Sequence, residues 1–122
     1  MILVDSSVWI DHLRQCDDIL VHQLNNNNVL MHPFILGELA CGNVKNRNQI
    51  LELFNNLPKS VVATDSEVLY FIEQYNLMGT GIGYIDSHLL SAVALTNSAQ
   101  FWTRDKRLKA ISDSLSYSCG LN

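Results

Sequence analysis

The sequence has no long apolar run, no secretory leader pattern and few cysteines. No apolar stretch approaches the roughly 18 residues that a membrane-spanning helix needs, and no basic region precedes the short apolar N-terminus. The three cysteines (Cys16, Cys41 and Cys119) are scattered and never spaced as C-x-x-C. We therefore expect free thiols in a cytoplasmic protein, with Cys41 in the core.

Several motifs that carry enzyme chemistry are also missing. His12, His22, His32 and His88 form no H-x-x-x-H or H-x-E pattern, which argues against a zinc site. The chain contains neither a G-x-x-x-x-G-K-[ST] phosphate loop nor a G-x-S-x-G nucleophile turn. The glycines of residues 79–83 lack the preceding strand that a dinucleotide site requires.

The composition predicts one folded domain over residues 1–122. Hydrophobic residues make up 48% of the chain and charged residues only 16%, which excludes a disordered protein. The net charge of −4 argues against a simple nucleic-acid binder. Four of the eight basic residues nevertheless fall in one short stretch: Arg104, Lys106, Arg107 and Lys109. This stretch is either the solvated face of a helix or a contact for a phosphate backbone.

The apolar run Ile2–Val4 predicts a buried central strand of a parallel sheet. Further strands are expected over residues 29–32, 60–63, 100–103 and 115–118, with helices between them. This alternation predicts an α/β fold with a mostly parallel sheet of four to five strands. Ligands of such sheets bind beyond the carboxyl ends of the strands, which is where Asp5 lies.

Four of the twelve acidic residues occupy unusual positions. Asp5 and Asp105 follow predicted strands, whereas Glu38 and Asp86 have helix neighbours that place them on apolar sides. The three aspartates could instead be helix N-caps, and Glu38 could pair with a buried arginine. If the four converge, carboxylates about 5 Å apart repel by roughly 3 kcal/mol, which protons or a cation must relieve. Mg²⁺ or Mn²⁺ is the cation that suits oxygen-only ligands.

Four segments resemble the PIN-domain ribonucleases, and most of all the VapC toxins of bacterial type II toxin–antitoxin systems. They are Val4-Asp5-Ser6-Ser7-Val8-Trp9-Ile10-Asp11, Glu38-Leu39, Gly83-Tyr84-Ile85-Asp86-Ser87-His88-Leu89-Leu90 and Trp102-Thr103-Arg104-Asp105-Lys106-Arg107-Leu108. The resemblance implies a three-layer α/β/α fold. It also implies that Asp5, Glu38, Asp86 and Asp105 are the catalytic, metal-binding acids, and that Ser7 helps to order them.

The same resemblance implies the activity and the partners. It implies a Mg²⁺-dependent endoribonuclease, with Mn²⁺ as a substitute, that cleaves a transfer RNA or a ribosomal RNA loop by metal-activated water. It further implies a homodimer and a VapB-type antitoxin whose C-terminal segment blocks the site. One position departs from some family members, which carry a further acid two residues after the fourth. Here that residue is Arg107, so a second metal ion is less well supported.

Three other interpretations stay open at this point. Within enzymes, the chain could be a PIN nuclease of RNA maturation or a flap-type DNA nuclease. From another class, it could be a non-catalytic PIN-like or receiver-like module that only binds a partner. The four acids could also hold a structural ion, in which case removing one of them would lower stability.

Overall fold

A computed structural model describes the whole chain, residues 1–122. It contains three strands, Ile2–Val4 (β1), Val29–Leu30 (β2) and Gln100–Trp102 (β3). Seven helices alternate with them: Ser6–Arg14 (α1), Asp18–Asn25 (α2), Pro33–Ala40 (α3), Arg47–Asn55 (α4), Asp65–Gln74 (α5), Tyr84–Leu95 (α6) and Lys106–Ser114 (α7). The predicted α/β class is confirmed.

The sheet is parallel, with the strand order β2-β1-β3. β1 is therefore central, as its uninterrupted apolar sequence predicts, and all three of its residues are buried. The chain crosses from β1 to β2 in one direction and from β2 to β3 in the other. Because such crossovers are right-handed, this reversal places helices on both faces of the sheet. The result is the expected three-layer arrangement.

The sheet is smaller than the predicted four to five strands. The predicted strand at residues 60–63 is not formed, and only Lys59 makes an isolated bridge, to Met31. The amide of Val61 donates to the Thr96 hydroxyl at 2.9 Å, so it does not extend the ladder. Val61 and Val62 are exposed by 44% and 49%. A β-branched run favours a strand locally, but these residues lack a partner strand to pair with.

The predicted strand at residues 115–118 is likewise reduced to one bridge, between Phe101 and Ser118. The amide of Phe101 donates to the Tyr117 carbonyl at 2.7 Å, and the amide of Cys119 donates to the Phe101 carbonyl at 3.1 Å. Ser116 and Gly120, on either side of this contact, have positive φ angles of 62° and 82°. The chain therefore turns away from β3 before a ladder can form.

The hydrophobic core is one cluster of 21 buried residues around β1. Its largest fully buried side chains include Trp9, Trp102 and Phe101. Cys41 is exposed, so the prediction that it lies in the core is wrong. It follows α3 as the C-cap residue, beyond the last buried turn of that helix. None of the seven helices combines the length and the apolar character needed to cross a bilayer.

Candidate active site

The four acids singled out in the sequence come from four segments that meet at the carboxyl edge of the sheet. Asp5 follows β1, Glu38 lies on α3, Asp86 is in the first turn of α6, and Asp105 caps α7. The charges of Asp5 and Asp105 help to raise the pKa of Asp86, and those of Asp5 and Asp86 help to raise the pKa of Glu38. The acids are therefore close enough to repel one another.

Asp5 is the innermost of the four acids, with a relative exposure of 6%. Its Oδ2 accepts hydrogen bonds from the hydroxyls of Ser7, at 2.7 Å, and Thr103, at 2.8 Å. Asp5 is at the N-cap position of α1, but its side chain makes no capping bond. The simple capping explanation therefore fails for Asp5. Both hydroxyls fix its orientation and leave Oδ1 without a hydrogen bond inside the chain.

Glu38 faces the crevice and not the core. Its helix buries Ile35 and Leu39, whereas Glu38 itself is exposed, so the prediction of a buried apolar side is wrong for this residue. The Ser6 hydroxyl donates to Glu38 Oε2 at 3.0 Å, and no arginine pairs with the carboxylate. Partial desolvation in the crevice raises the pKa of Glu38, and the nearby Asp5 and Asp86 raise it further.

Asp86 and Asp105 differ in how their helices use them. Asp86 is not an N-cap, since Gly83 holds that position, but it accepts the Gly83 amide at 3.3 Å. Desolvation raises the pKa of Asp86, and the Gly83 bond opposes this only in part. Asp105 does cap α7, because its Oδ1 accepts the Leu108 amide at 3.0 Å. The capping explanation thus holds for Asp105 alone.

Two hydroxyl residues of the site were missed in the sequence as functional candidates. Thr103 joins the ends of β1 and β3, since it donates to Asp5 and accepts the Asp105 amide at 3.1 Å. Ser6 connects the start of α1 to Glu38 on α3. Their position in the sequence could have identified them. Thr103 directly follows the buried strand β3, and Ser6 follows the buried strand β1 after one residue. Ser7, which was predicted, also accepts the Arg104 amide at 3.0 Å.

The donor set of the crevice suits a hard divalent cation. All four acids offer carboxylate oxygens, and none forms a salt bridge with Lys, Arg or His. Such an uncompensated cluster favours Mg²⁺ or Mn²⁺, which bind a few carboxylates and retain several waters. No three His, Cys, Asp or Glu side chains form a ready-made chelate. A cation would therefore bind through part of the set together with water.

The structure divides the basic stretch into paired and unpaired residues. Arg104 forms ion pairs with Asp11 and Asp17, lies over the Trp102 ring, and donates to the Asn122 carbonyl. Lys109 pairs with Asp113 one turn later on α7. Both residues were possible RNA contacts in the sequence, but their charges are engaged within the chain. Lys106 and Arg107 are exposed and form no ion pair.

A cavity of about 810 Å³ adjoins the crevice on the Glu38 side. Its lining combines apolar side chains, including Ile10, Leu13 and Ile50, with the basic residues Arg14 and Lys45. Trp9 on α1 is only 1% exposed and packs on Phe54, so it is a core residue. Leu13 on the same helix borders the open cavity.

Comparison with known proteins identifies the family, although no protein-family model matches the chain. The chain is 48% identical over 110 residues to ribonuclease VapC32 of Mycobacterium tuberculosis, strain CDC 1551, and equally to ribonuclease VapC32 of strain H37Rv. Each alignment covers 90% of this chain and 89% of the relative. With this similarity and the α/β fold described above, the chain belongs to the VapC-like PIN-domain ribonucleases, the toxins of type II toxin–antitoxin systems.

Proposed function

We propose that this chain is a Mg²⁺-dependent endoribonuclease toxin, in which Asp5, Glu38, Asp86 and Asp105 hold the metal, part of the set directly and the rest through water. The observation that carries the proposal is that four carboxylates without a cationic partner lie at one sheet edge, where their charges act on one another. The similarity to a ribonuclease supports RNA as the substrate class. A specific transfer RNA or ribosomal RNA loop is the proposed target.

A bound Mg²⁺ would supply positive charge for the scissile phosphate and would make water a stronger nucleophile at neutral pH. Hydroxyl groups of the chain orient the carboxylates that would hold the metal. Ser7 and Thr103 hold one oxygen of Asp5, and Ser6 holds one oxygen of Glu38. These hydroxyls orient the carboxylates before any ligand arrives, so less reorganisation is needed during the reaction. Attack by water predicts products with a 5′-phosphate and a 3′-hydroxyl.

The test is cleavage of total cellular RNA by the purified chain, with Mg²⁺ and with chelator. Asp86→Asn removes a crevice charge, and Asp113→Asn is the matched control because Asp113 lies outside the crevice and pairs with Lys109. We expect a few discrete fragments that require Mg²⁺, persist in Asp113→Asn and disappear in Asp86→Asn. A folded, Mg²⁺-supplemented chain that cleaves no RNA would instead favour a non-catalytic binding module.

The proposal includes a VapB-type antitoxin that covers the crevice. The cavity beside Glu38 supports this, because its apolar lining and its two basic residues suit a peptide segment with apolar and acidic side chains. Leu13→Glu should weaken the antitoxin complex, whereas Leu53→Glu, at an exposed position on α4 outside that cavity, should not. Isothermal titration with the coexpressed antitoxin, after its separation, measures the difference.

A homodimer is also part of the proposal. Leu69 and Tyr70 on α5 are exposed by 60% and 68%, which is high for such large apolar side chains. Adjacent exposed apolar residues are typical of protein interfaces. Light scattering should give a dimer mass for the native chain and a monomer mass for Leu69→Glu. A dimer mass in both would exclude α5 as the contact.

A further inference from the structure

Arg107 lies between the two segments that carry the third and fourth acids. It is in the first turn of α7, two residues after Asp105. Its side chain rests against Gly81, in the loop that leads to α6 and Asp86. A Cβ at Gly81 would lie 3.0 Å from Arg107 Cδ and Nη1 and 3.3 Å from Nε. One side of the Arg107 side chain therefore lies against the backbone of Gly81, and the residue is otherwise exposed.

The charge of Arg107 has no partner within the chain. It forms no salt bridge and donates no side-chain hydrogen bond, unlike Arg104, which is held by two carboxylates and a carbonyl. Arg107 thus keeps its own donors available.

The position is unfavourable for a purely structural arginine. The first turn of α7 contains no acidic residue and begins with Lys106 and Arg107. Cations at a helix N-terminus are repelled by the partial positive charge of the unpaired amides. Capping or helix stability therefore does not explain this residue. A ligand that carries negative charge would remove the repulsion and would satisfy the guanidinium donors.

We infer that Arg107, positioned by Gly81, binds a backbone phosphate of the RNA beside the carboxylate crevice; this rests on the proposed ribonuclease function. A guanidinium presents two parallel N–H donors that match two phosphate oxygens, which a lysine ammonium cannot reproduce. The contact would hold the strand so that the neighbouring phosphate reaches the four acids. Arg107 is then a substrate-positioning residue, and a side chain at Gly81 would push the end of the Arg107 side chain aside by a few tenths of an ångström or more.

The glycine loop offers a matched pair of variants for the test. Gly81 has a φ of +90° and Gly79 a φ of +72°, so alanine is strained at both positions. A Cβ at Gly79 meets nothing within 4 Å, whereas a Cβ at Gly81 meets Arg107. Gly79→Ala therefore controls for most of the backbone strain, and a larger effect of Gly81→Ala that is absent in the Arg107→Ala background reports displacement of Arg107.

The experiment measures binding of a fluorescein-labelled, single-stranded RNA of mixed sequence to the cleavage-deficient Asp86→Asn chain with Mg²⁺, over a series of salt concentrations. We expect Arg107→Ala to weaken binding about 10-fold and to reduce the salt slope by about one, as for loss of one phosphate contact. Arg107→Lys should recover part of the affinity. Gly81→Ala should weaken binding in the same direction by a smaller factor, and Gly79→Ala should stay near the parent.

Cleavage by the chain with Asp86 intact gives the second readout. Arg107→Ala should raise KM about 10-fold while kcat changes much less, which a general loss of folding would not produce. Equal binding and an equal salt slope for Arg107→Ala and its parent, or an equal loss for Lys106→Ala, would overturn the inference. Absence of cleavage by the native chain would instead overturn the proposed function.

Discussion

The carboxylates inside the crevice and those outside it respond oppositely to their surroundings. Outside, Asp17 receives a hydrogen bond from Arg104, and Asp65 receives one from the Tyr84 hydroxyl and another from His88; these contacts lower the pKa of both acids. Inside, desolvation and neighbouring acids raise the pKa of Glu38 and Asp86. An ionised carboxylate therefore stabilises the fold outside the crevice and destabilises it inside the crevice.

This difference separates structural acids from candidate functional acids without reference to any relative. A fold selected only for stability would give each crevice acid a cation, as Arg104 provides for Asp11 and Asp17. The crevice instead supplies hydroxyl and amide donors, which orient a carboxylate without neutralising its charge. Such sites commonly sacrifice stability for function.

The largest expected effect is on catalysis by Asp5→Asn. Asp5 is the acid whose charge acts on both Glu38 and Asp86. Because the variant removes this charge from the centre of the crevice, we expect RNA cleavage to fall at least ~100-fold. Asp65→Asn, outside the crevice, should change the cleavage rate less than ~3-fold. Initial rates at saturating Mg²⁺ provide the comparison. A similar loss in both variants would show that the division between the two regions has no functional meaning.

The second largest expected effect is a loss of stability in Asp17→Asn. Asparagine can still accept the Leu20 amide and cap α2, so the variant removes chiefly the ion pair with Arg104. Both side chains of this pair are partly buried, and we expect the free energy of unfolding to decrease by about 1 kcal/mol. Asp18→Asn is the control, since Asp18 is exposed and unpaired. Urea unfolding measures both, and equal midpoints would contradict the prediction.

Asp86→Asn is the same substitution in the other region, and its effect should have the opposite sign. In chelator, loss of the Asp86 charge removes its desolvation penalty and the repulsion from Asp5 and Asp105, while asparagine can still accept the Gly83 amide. We expect the free energy of unfolding to rise by up to about 1 kcal/mol. A clear fall in the melting temperature without metal would support the structural-ion interpretation instead.

The sequence predicted the centre of the fold better than its edges. Ile2–Val4 is flanked by strands on both sides, so an apolar run alone was enough to identify it. Residues 60–63 have a similar composition, but pairing stops at the single bridge from Lys59 to Met31, and Val61 bonds to Thr96 instead. The apolar, β-branched pattern of a segment shows that it can form a strand, but it does not show whether a neighbouring strand lies in position to pair with it.

The sequence indicated the four candidate acids and, of the hydroxyl donors around them, only Ser7. Asp5 and Asp105 follow strands, and that position alone brought them to one edge. The bond from Thr103 to Asp5 joins residues separated by 98 positions, so it depends on the register of β1 with β3. Helical spacing also misplaced Glu38, because this residue lies at the border of the buried stripe and turns toward Ser6.

The smallest expected effect is the pH dependence of stability in chelator, and its sign distinguishes the two regions. The raised pKa values of Asp86 and Glu38 mean that the folded chain binds more protons than the unfolded chain just above their ordinary values of 3.8 and 4.5. Stability from these groups therefore falls as pH rises through that window. Asp17, with a lowered pKa, contributes stability above its ordinary value of 3.8 and loses it as pH falls.

Unfolding midpoints at about pH 5 and pH 7 should therefore differ less in Asp86→Asn than in the native chain, and Asp17→Asn should leave that difference unchanged. Equal pH differences in the native chain and Asp86→Asn would mean that neither desolvation nor the neighbouring acids raise the pKa of Asp86 in the crevice.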